Sequence, residues 1–261
     1  MITAASNSRI KRLVQLNQKS KLRRTEDVFL AEGVKMFLEA PREQLQEVYV
    51  SESFLEKCSC REHLGEVGYE VVSDSVFSKI SDTCTPQGVL CVLKQFHYNI
   101  EEMLRDKAPL FLLLENIQDP GNLGTMLRTG EGAGVSGIIM SRDTVDLYNP
   151  KVIRSTMGSI YRVPFYYADD FAAAVHQVQQ AGVSVYAAHL RGKNSYACQD
   201  YTKGTAFLIG NEGNGLREET AELADCYIRI PMEGKVESLN AAVASSILMY
   251  EAHRQRATLE K

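Results

Sequence analysis

The second half of this chain is constrained most by short apolar runs that end in polar, glycine-bearing loops. Leu110–Leu114, Val183–Ala188 and Ala206–Ile209 are runs of this kind. A strand without polar alternation is covered on both faces, as in a parallel sheet flanked by helices. Gly137–Met140, Tyr161–Tyr166 and Tyr227–Ile230 read as further strands. Helical stretches fall between them at Pro150–Ser159, Asp169–Gln180 and Leu216–Leu223. This β-α-β-α order predicts an α/β fold with a parallel sheet and helices on both faces.

In such sheets ligands sit beyond the carboxyl ends of the strands. Three loops fall there in sequence: Asp119–Gly124, Gly210–Gly215 and Pro231–Ser238. Their glycines permit positive φ and close approach of backbone to a ligand. None of these three loops is a GxGxxG or a GK[ST] phosphate loop, which argues against an unrelated nucleotide-binding enzyme. After the third loop Ser238 stands where a helix N-cap should stand. Leu239, Val243, Ile247 and Tyr250 then recur on one helical face, while Ala241, Ala242, Ala244 and Ser245 keep other faces small enough for another backbone to approach. Asn240 is a polar exception in the first turn: either it caps the helix with Ser238, or it belongs to a site.

The first half alternates as well. A helix over residues 6–20 precedes strands at Val28–Ala31, Glu47–Val50, Tyr69–Ser73 and Gly88–Lys94, with a helix through Met36–Leu38 and helical turns at Glu52–Lys57 and Asp74–Ile80. The expected organisation is a small α/β domain over 1–96, a polar linker over 97–108, and a second domain over 109–261. No apolar run approaches the roughly 18 residues of a membrane span, and the N-terminus lacks a signal-peptide core. With 44% hydrophobic and 24% charged residues, the expectation is a soluble cytoplasmic protein. Its six cysteines are scattered, and Cys58-Ser-Cys60 is too tight and isolated for a zinc half-site, so no metal is expected.

The net charge of −4 announces no nucleic-acid partner, but its distribution does more. Arg9, Lys11, Arg12, Lys19, Lys21, Arg23 and Arg24 lie in one segment without an acidic residue. Such a cluster is either a phosphate-binding surface or a solvated helix face.

Asn122-Leu-Gly-Thr-Met-Leu-Arg128 with Glu131-Gly-Ala-Gly134, Leu208-Ile-Gly-Asn-Glu-Gly-Asn-Gly-Leu216, and Ile230-Pro-Met with Ser238-Leu-Asn240 resemble the three motifs of the SpoU (TrmH-like) family, in the family's order. Asn7–Lys11, Phe29–Gly33 and Pro86–Gly88 resemble the substrate-binding domain of its ribosomal RNA branch. The resemblance implies S-adenosylmethionine-dependent methylation of an RNA ribose 2′-hydroxyl, most naturally in 23S ribosomal RNA. It also implies a SPOUT catalytic domain with a trefoil knot, and a homodimer. Neither DNA nor a membrane is an expected partner.

Carried over by position, Arg128, Asn122, Glu212, Ser238 and Asn240 form the catalytic set. Glu212 would position Arg128 or take part in proton transfer. Ala188, His189, Leu190, Gly210, Asn211, Glu212, Ile230, Met232, Ser238 and Leu239 would hold the cofactor, with His189 lining the pocket. Arg9, Lys11, Arg12, Lys21, Arg23, Arg24, Arg128, Lys151 and Arg154 would contact RNA, with Lys151, Arg154 and Arg162 on a basic rim of the catalytic domain. Two alternatives stay open. One is a transfer RNA 2′-O-methyltransferase, and the other a non-catalytic RNA-binding or ribosome-assembly factor on the same fold.

Overall fold

The computed structural model describes residues 1–57 and 60–258, so Cys58 lies outside the described residues. The chain divides into two compact units, one of Met1–Phe96 with Asp146–Tyr161 and one of His97–Val145 with Arg162–Lys261.

The first unit holds a four-stranded sheet. Val89–Lys94 pairs antiparallel with Val28–Glu32 on one side and with Leu45–Ser51 on the other, and Glu70–Val72 adds parallel to Leu45–Ser51. Ser8–Gln18 is helical because Asn7 caps it through the Arg9 N–H, and its Ile10, Leu13 and Leu16 are buried. They pack with Tyr49, Val72, Phe77 and Val92 into one core. Residues 146–161 are stitched into this unit, although the expected boundary put them in the second domain. Asp146 accepts the Arg23 guanidinium at 2.5 Å, and the Tyr161 hydroxyl donates to the Met36 carbonyl at 3.0 Å.

The second unit holds a seven-stranded parallel sheet in the order Phe165–Ala168, Gly137–Ser141, Leu110–Leu114, Thr205–Ile209, Ser184–Ala188, Cys226–Arg229, Asn194–Ser195. Leu110–Leu114 and Thr205–Ile209 are buried along their whole length at the centre, as unbroken apolar runs require. The strand expected from Tyr161 instead starts at Phe165, since Tyr161 closes a 3₁₀ turn and Pro164 has no N–H to offer a ladder. The segment expected as a linker is anchored as well: Ile100–Met103 is a helix capped by Asn99, and its Ile100 and Met103 are buried in the core of this unit.

The C-terminal helix runs Ala241–Ala257 and packs against Pro120–Ala133. Its buried residues are Ala241, Ala242, Ser245, Leu248, Met249 and Ala252. The apolar stripe of the sequence points the other way, and Val243 and Tyr250 are each 48% exposed. Small residues face inward because the neighbouring helix buries Gly124, Gly130 and Ala133, so the two backbones come close. Among the described residues no helix is long and apolar enough to cross a membrane.

Candidate active site

The three glycine loops meet at the carboxyl ends of the central strands of the second unit, where a parallel sheet places its ligands. Two of them line a cavity of about 280 Å³ with the strand end at Ala188–Leu190. Gly210 is required by the packing: a Cβ there would lie 2.2 Å from the Gly215 carbonyl carbon and the Leu216 nitrogen. Asn211 organises the same loop. Its Oδ1 accepts from the Gly213 and Asn214 N–H groups at 3.0 and 3.1 Å, and its Nδ2 donates to the Asn116 carbonyl at 2.8 Å. The Asn211 amide therefore holds the wall of the cavity.

The polar set joins at the mouth. The N–H groups of Ala242 and Val243 donate to Asn240 Oδ1, so Asn240, not the expected Ser238, is the helix cap. With its oxygen committed, Asn240 must donate through Nδ2, and it does so to Asn122 Oδ1 at 2.9 Å. Asn122 in turn donates through Nδ2 to Glu212 at 3.0 Å. Every bond in this chain points its donor toward Glu212, beginning at the positive end of a 17-residue helix. Glu212 also accepts the Gln118 and Asp119 N–H groups, at 3.2 and 3.1 Å. Partial burial works against the Glu212 charge, but the hydrogen bonds from Asn122 and the loop N–H groups outweigh it and hold the carboxyl below the ordinary glutamate value.

All ten residues expected around the cofactor line this one cavity together with Ile209, and Gly213–Leu216, Ile228, Arg229, Glu237, Ala241 and Ala244 are lining that sequence reasoning missed. Leu190, Ile209, Ile230, Met232 and Leu239 make an apolar lining, with Glu212, Glu237 and Arg229 as its charged residues. The apolar lining suits a flat aromatic ligand part, and the volume is near the roughly 300 Å³ lower bound of small-molecule pockets. His189 stacks on Tyr227 with ring centroids 5.0 Å apart, and its Nδ1 accepts the Arg191 N–H. Burial first, then the Arg191 charge, keeps its pKa below the ordinary histidine value. Ser238 lines the cavity and makes no hydrogen bond among the described residues.

Arg128 stands apart. It is exposed on the Pro120–Ala133 helix and engages no carboxylate among the described residues. Glu212 bonds Asn122 and loop backbone and makes no ion pair with Arg128 among the described residues. The basic cluster separates too. Arg23 is only 3% exposed and its terminal guanidinium nitrogens bond the Leu16 and Asn17 carbonyls and Asp146, a burial that removes it from any RNA surface. Arg9 pairs with Glu70, Arg12 with Glu26 and Glu47, and Arg154 with Asp82. Lys11, Lys19, Lys21, Arg24 and Lys151 are exposed without an ion pair among the described residues. Lys151 and Arg154 lie in the first unit with them, not on the unit that carries Arg128. Among the described residues no group of three or more His, Cys, Asp or Glu side chains could hold a metal ion.

Residues 109–250 match the SpoU rRNA Methylase family, and residues 7–91 match the MRM3-like substrate binding domain. A 23S rRNA (guanosine(2553)-2'-O)-methyltransferase, RlmP of Bacillus subtilis (strain 168), is 32% identical over 95% of this chain and 97% of its own length. A 23S rRNA (guanosine-2'-O-)-methyltransferase, RlmB of Bordetella pertussis, is 32% identical over 82% of this chain and 91% of its own. The crystal structure of an AdoMet-bound rRNA methyltransferase from Sinorhizobium meliloti superposes with a TM-score of 0.84 at 31% identity, covering 97% of each chain. The SpoU methyltransferase AviRb from Streptomyces viridochromogenes in complex with AdoMet gives 0.87 at 26% identity, covering 97% of this chain and 99% of that one.

Proposed function

We propose that this chain, which belongs to the SpoU rRNA methylase family, transfers a methyl group from S-adenosylmethionine to a ribose 2′-hydroxyl of 23S ribosomal RNA. The observation that carries this reading is the directed chain Asn240→Asn122→Glu212 at the mouth of an apolar cavity. A solvated helix end has no use for such a chain.

When bound, S-adenosylmethionine supplies an electrophilic methyl group on a sulfonium. The chain's own residues do the rest. Backbone groups at Gly210, Ile230 and Leu239, which line the cavity, would read the adenine edge. Glu212 accepts three donors across its two oxygens and keeps acceptor capacity for the ribose hydroxyl, which it would orient. As a carboxylate held below its ordinary pKa it is a weak proton acceptor, so its work is alignment more than deprotonation. Arg128, which engages no carboxylate among the described residues, would offer its guanidinium to the flanking phosphate or to the oxygen as charge develops.

The unpaired Lys11, Lys19, Lys21, Arg24 and Lys151 supply phosphate contacts in the first unit, whose match to a substrate binding domain favours ribosomal RNA over transfer RNA. The outward face of Val243, Ile247 and Tyr250 suits a second copy of the chain, and a cytoplasmic homodimer is the assembly that fits. Arg128→Ala tests the site. It is expected to leave S-adenosylhomocysteine binding unchanged and to slow methyl transfer roughly 100-fold or more, the scale of losing a charge-stabilising donor. Undiminished turnover would sink the role given to Arg128.

A further inference from the structure

We propose that Glu115 is a positioning residue of the methyl-transfer site, the buried half of a reciprocal carboxylate clasp between the loop 116–119 and the loop 210–217. The proposal rests on the reading of the cavity as the cofactor site.

Glu115 follows the Leu110–Leu114 strand directly and is 1% exposed. Its carboxylate accepts the Arg217 N–H at 2.8 Å, the Thr220 hydroxyl at 2.5 Å and the Arg217 guanidinium at 3.5 Å. Arg217 is the residue after Leu216, and Gly213–Leu216 form part of the cavity wall. Glu115 therefore holds the far end of the second loop. In the opposite direction, Glu212 from the second loop accepts the Gln118 and Asp119 N–H groups of the first. Each loop lends a carboxylate to the backbone of the other. Asn211 adds a third tie to the carbonyl of Asn116, which sits at φ 54°, in the left-handed region.

A carboxylate is a costly group to bury, and it persists only where several donors meet it. An apolar side chain at the end of an apolar strand would pack at lower cost. What it could not do is fix the height of Arg217, and with it the gap between Gly210 and Leu216 that the close approach at Gly210 leaves no room to alter. Glu115 does not line the cavity. It acts through the wall that the cofactor contacts.

The test uses the full chain, with S-adenosylhomocysteine affinity measured by titration calorimetry beside steady-state kinetics on unmodified ribosomal RNA. Glu115→Gln keeps the volume but puts an amide donor among donors. It is expected to raise the Kd for S-adenosylhomocysteine about tenfold and to lower kcat, with KM for RNA within about twofold of wild type, the size of one hydrogen bond to a charged group. Thr220→Val, which removes one donor, should move both quantities the same way by less, and Thr220→Ser should restore them. Should Glu115→Gln fail to fold, the Thr220 pair decides alone. Wild-type affinity and kcat with only a lower Tm would make Glu115 a stability residue and overturn the proposal. Failure of the wild-type protein to bind S-adenosylhomocysteine would remove the cavity reading, and the clasp's role with it.

Discussion

Glu212 is kept ionised by Asn122 and by two backbone N–H groups, and this has a consequence for pH. Its folded pKa lies below the unfolded value of about 4.3. The stability it contributes is therefore present above about pH 4.3 and is lost as pH falls through the folded pKa. Urea midpoints measured from pH 3 to 7 should drop on the acid side for wild type and drop less for Glu212→Gln. Parallel profiles would show that the hydrogen bonds to Glu212 do not hold its charge. Asn122, Glu212 and Asn240 were named in the sequence through the family resemblance, carried over by position. Their order was not. The Asn240–Asn122 bond spans 118 residues of sequence and exists only because the sheet brings their loops together. Arg23 misled for the same reason: a charge run reads as solvated until Asp146, 123 residues away, turns out to be its partner.

The C-terminal helix shows what periodicity can and cannot say about an element. The 3.6-residue repeat of Val243, Ile247 and Tyr250 was legible, but a period does not name the neighbour that covers a face. The small residues, read as allowing close backbone approach, proved to be the inward face. This leaves Tyr250 and Val243 uncovered, and fully burying each such side chain contributes roughly 1.5–3 kcal/mol. The Tyr250 hydroxyl lies near Gly132, one turn beyond Arg128 on the neighbouring helix. If this face is the homodimer contact, sedimentation velocity should show a wild-type dimer and a Tyr250→Asp monomer with its S-adenosylhomocysteine binding retained or only weakened. A wild-type monomer at micromolar concentration would contradict it.

For the whole molecule, two compact α/β units were legible from the alternation of strands and helices, while their division was only partly so. Residues 146–161 join the first unit through Asp146 and Tyr161, whose partners Arg23 and Met36 lie over a hundred residues away. Residues 97–108 looked like a linker because Glu101, Glu102, Arg105 and Lys107 dominate their composition, yet Ile100 and Met103 are enough to anchor them. The trefoil knot rests on family resemblance alone, since no local pattern encodes threading. Strand-end position marked the three loops as the place for a ligand, and the activity was legible through the resemblance of their motifs to the SpoU family. The central claim is that this molecule methylates ribose in 23S ribosomal RNA. Its most direct test is transfer of labelled methyl from S-adenosylmethionine into 23S RNA lacking the modification, beside transfer RNA, followed by digestion and mass spectrometry of the nucleosides. A single 2′-O-methyl nucleoside from 23S RNA is the expected product. Label on a base, in transfer RNA, or nowhere despite cofactor binding would contradict the account.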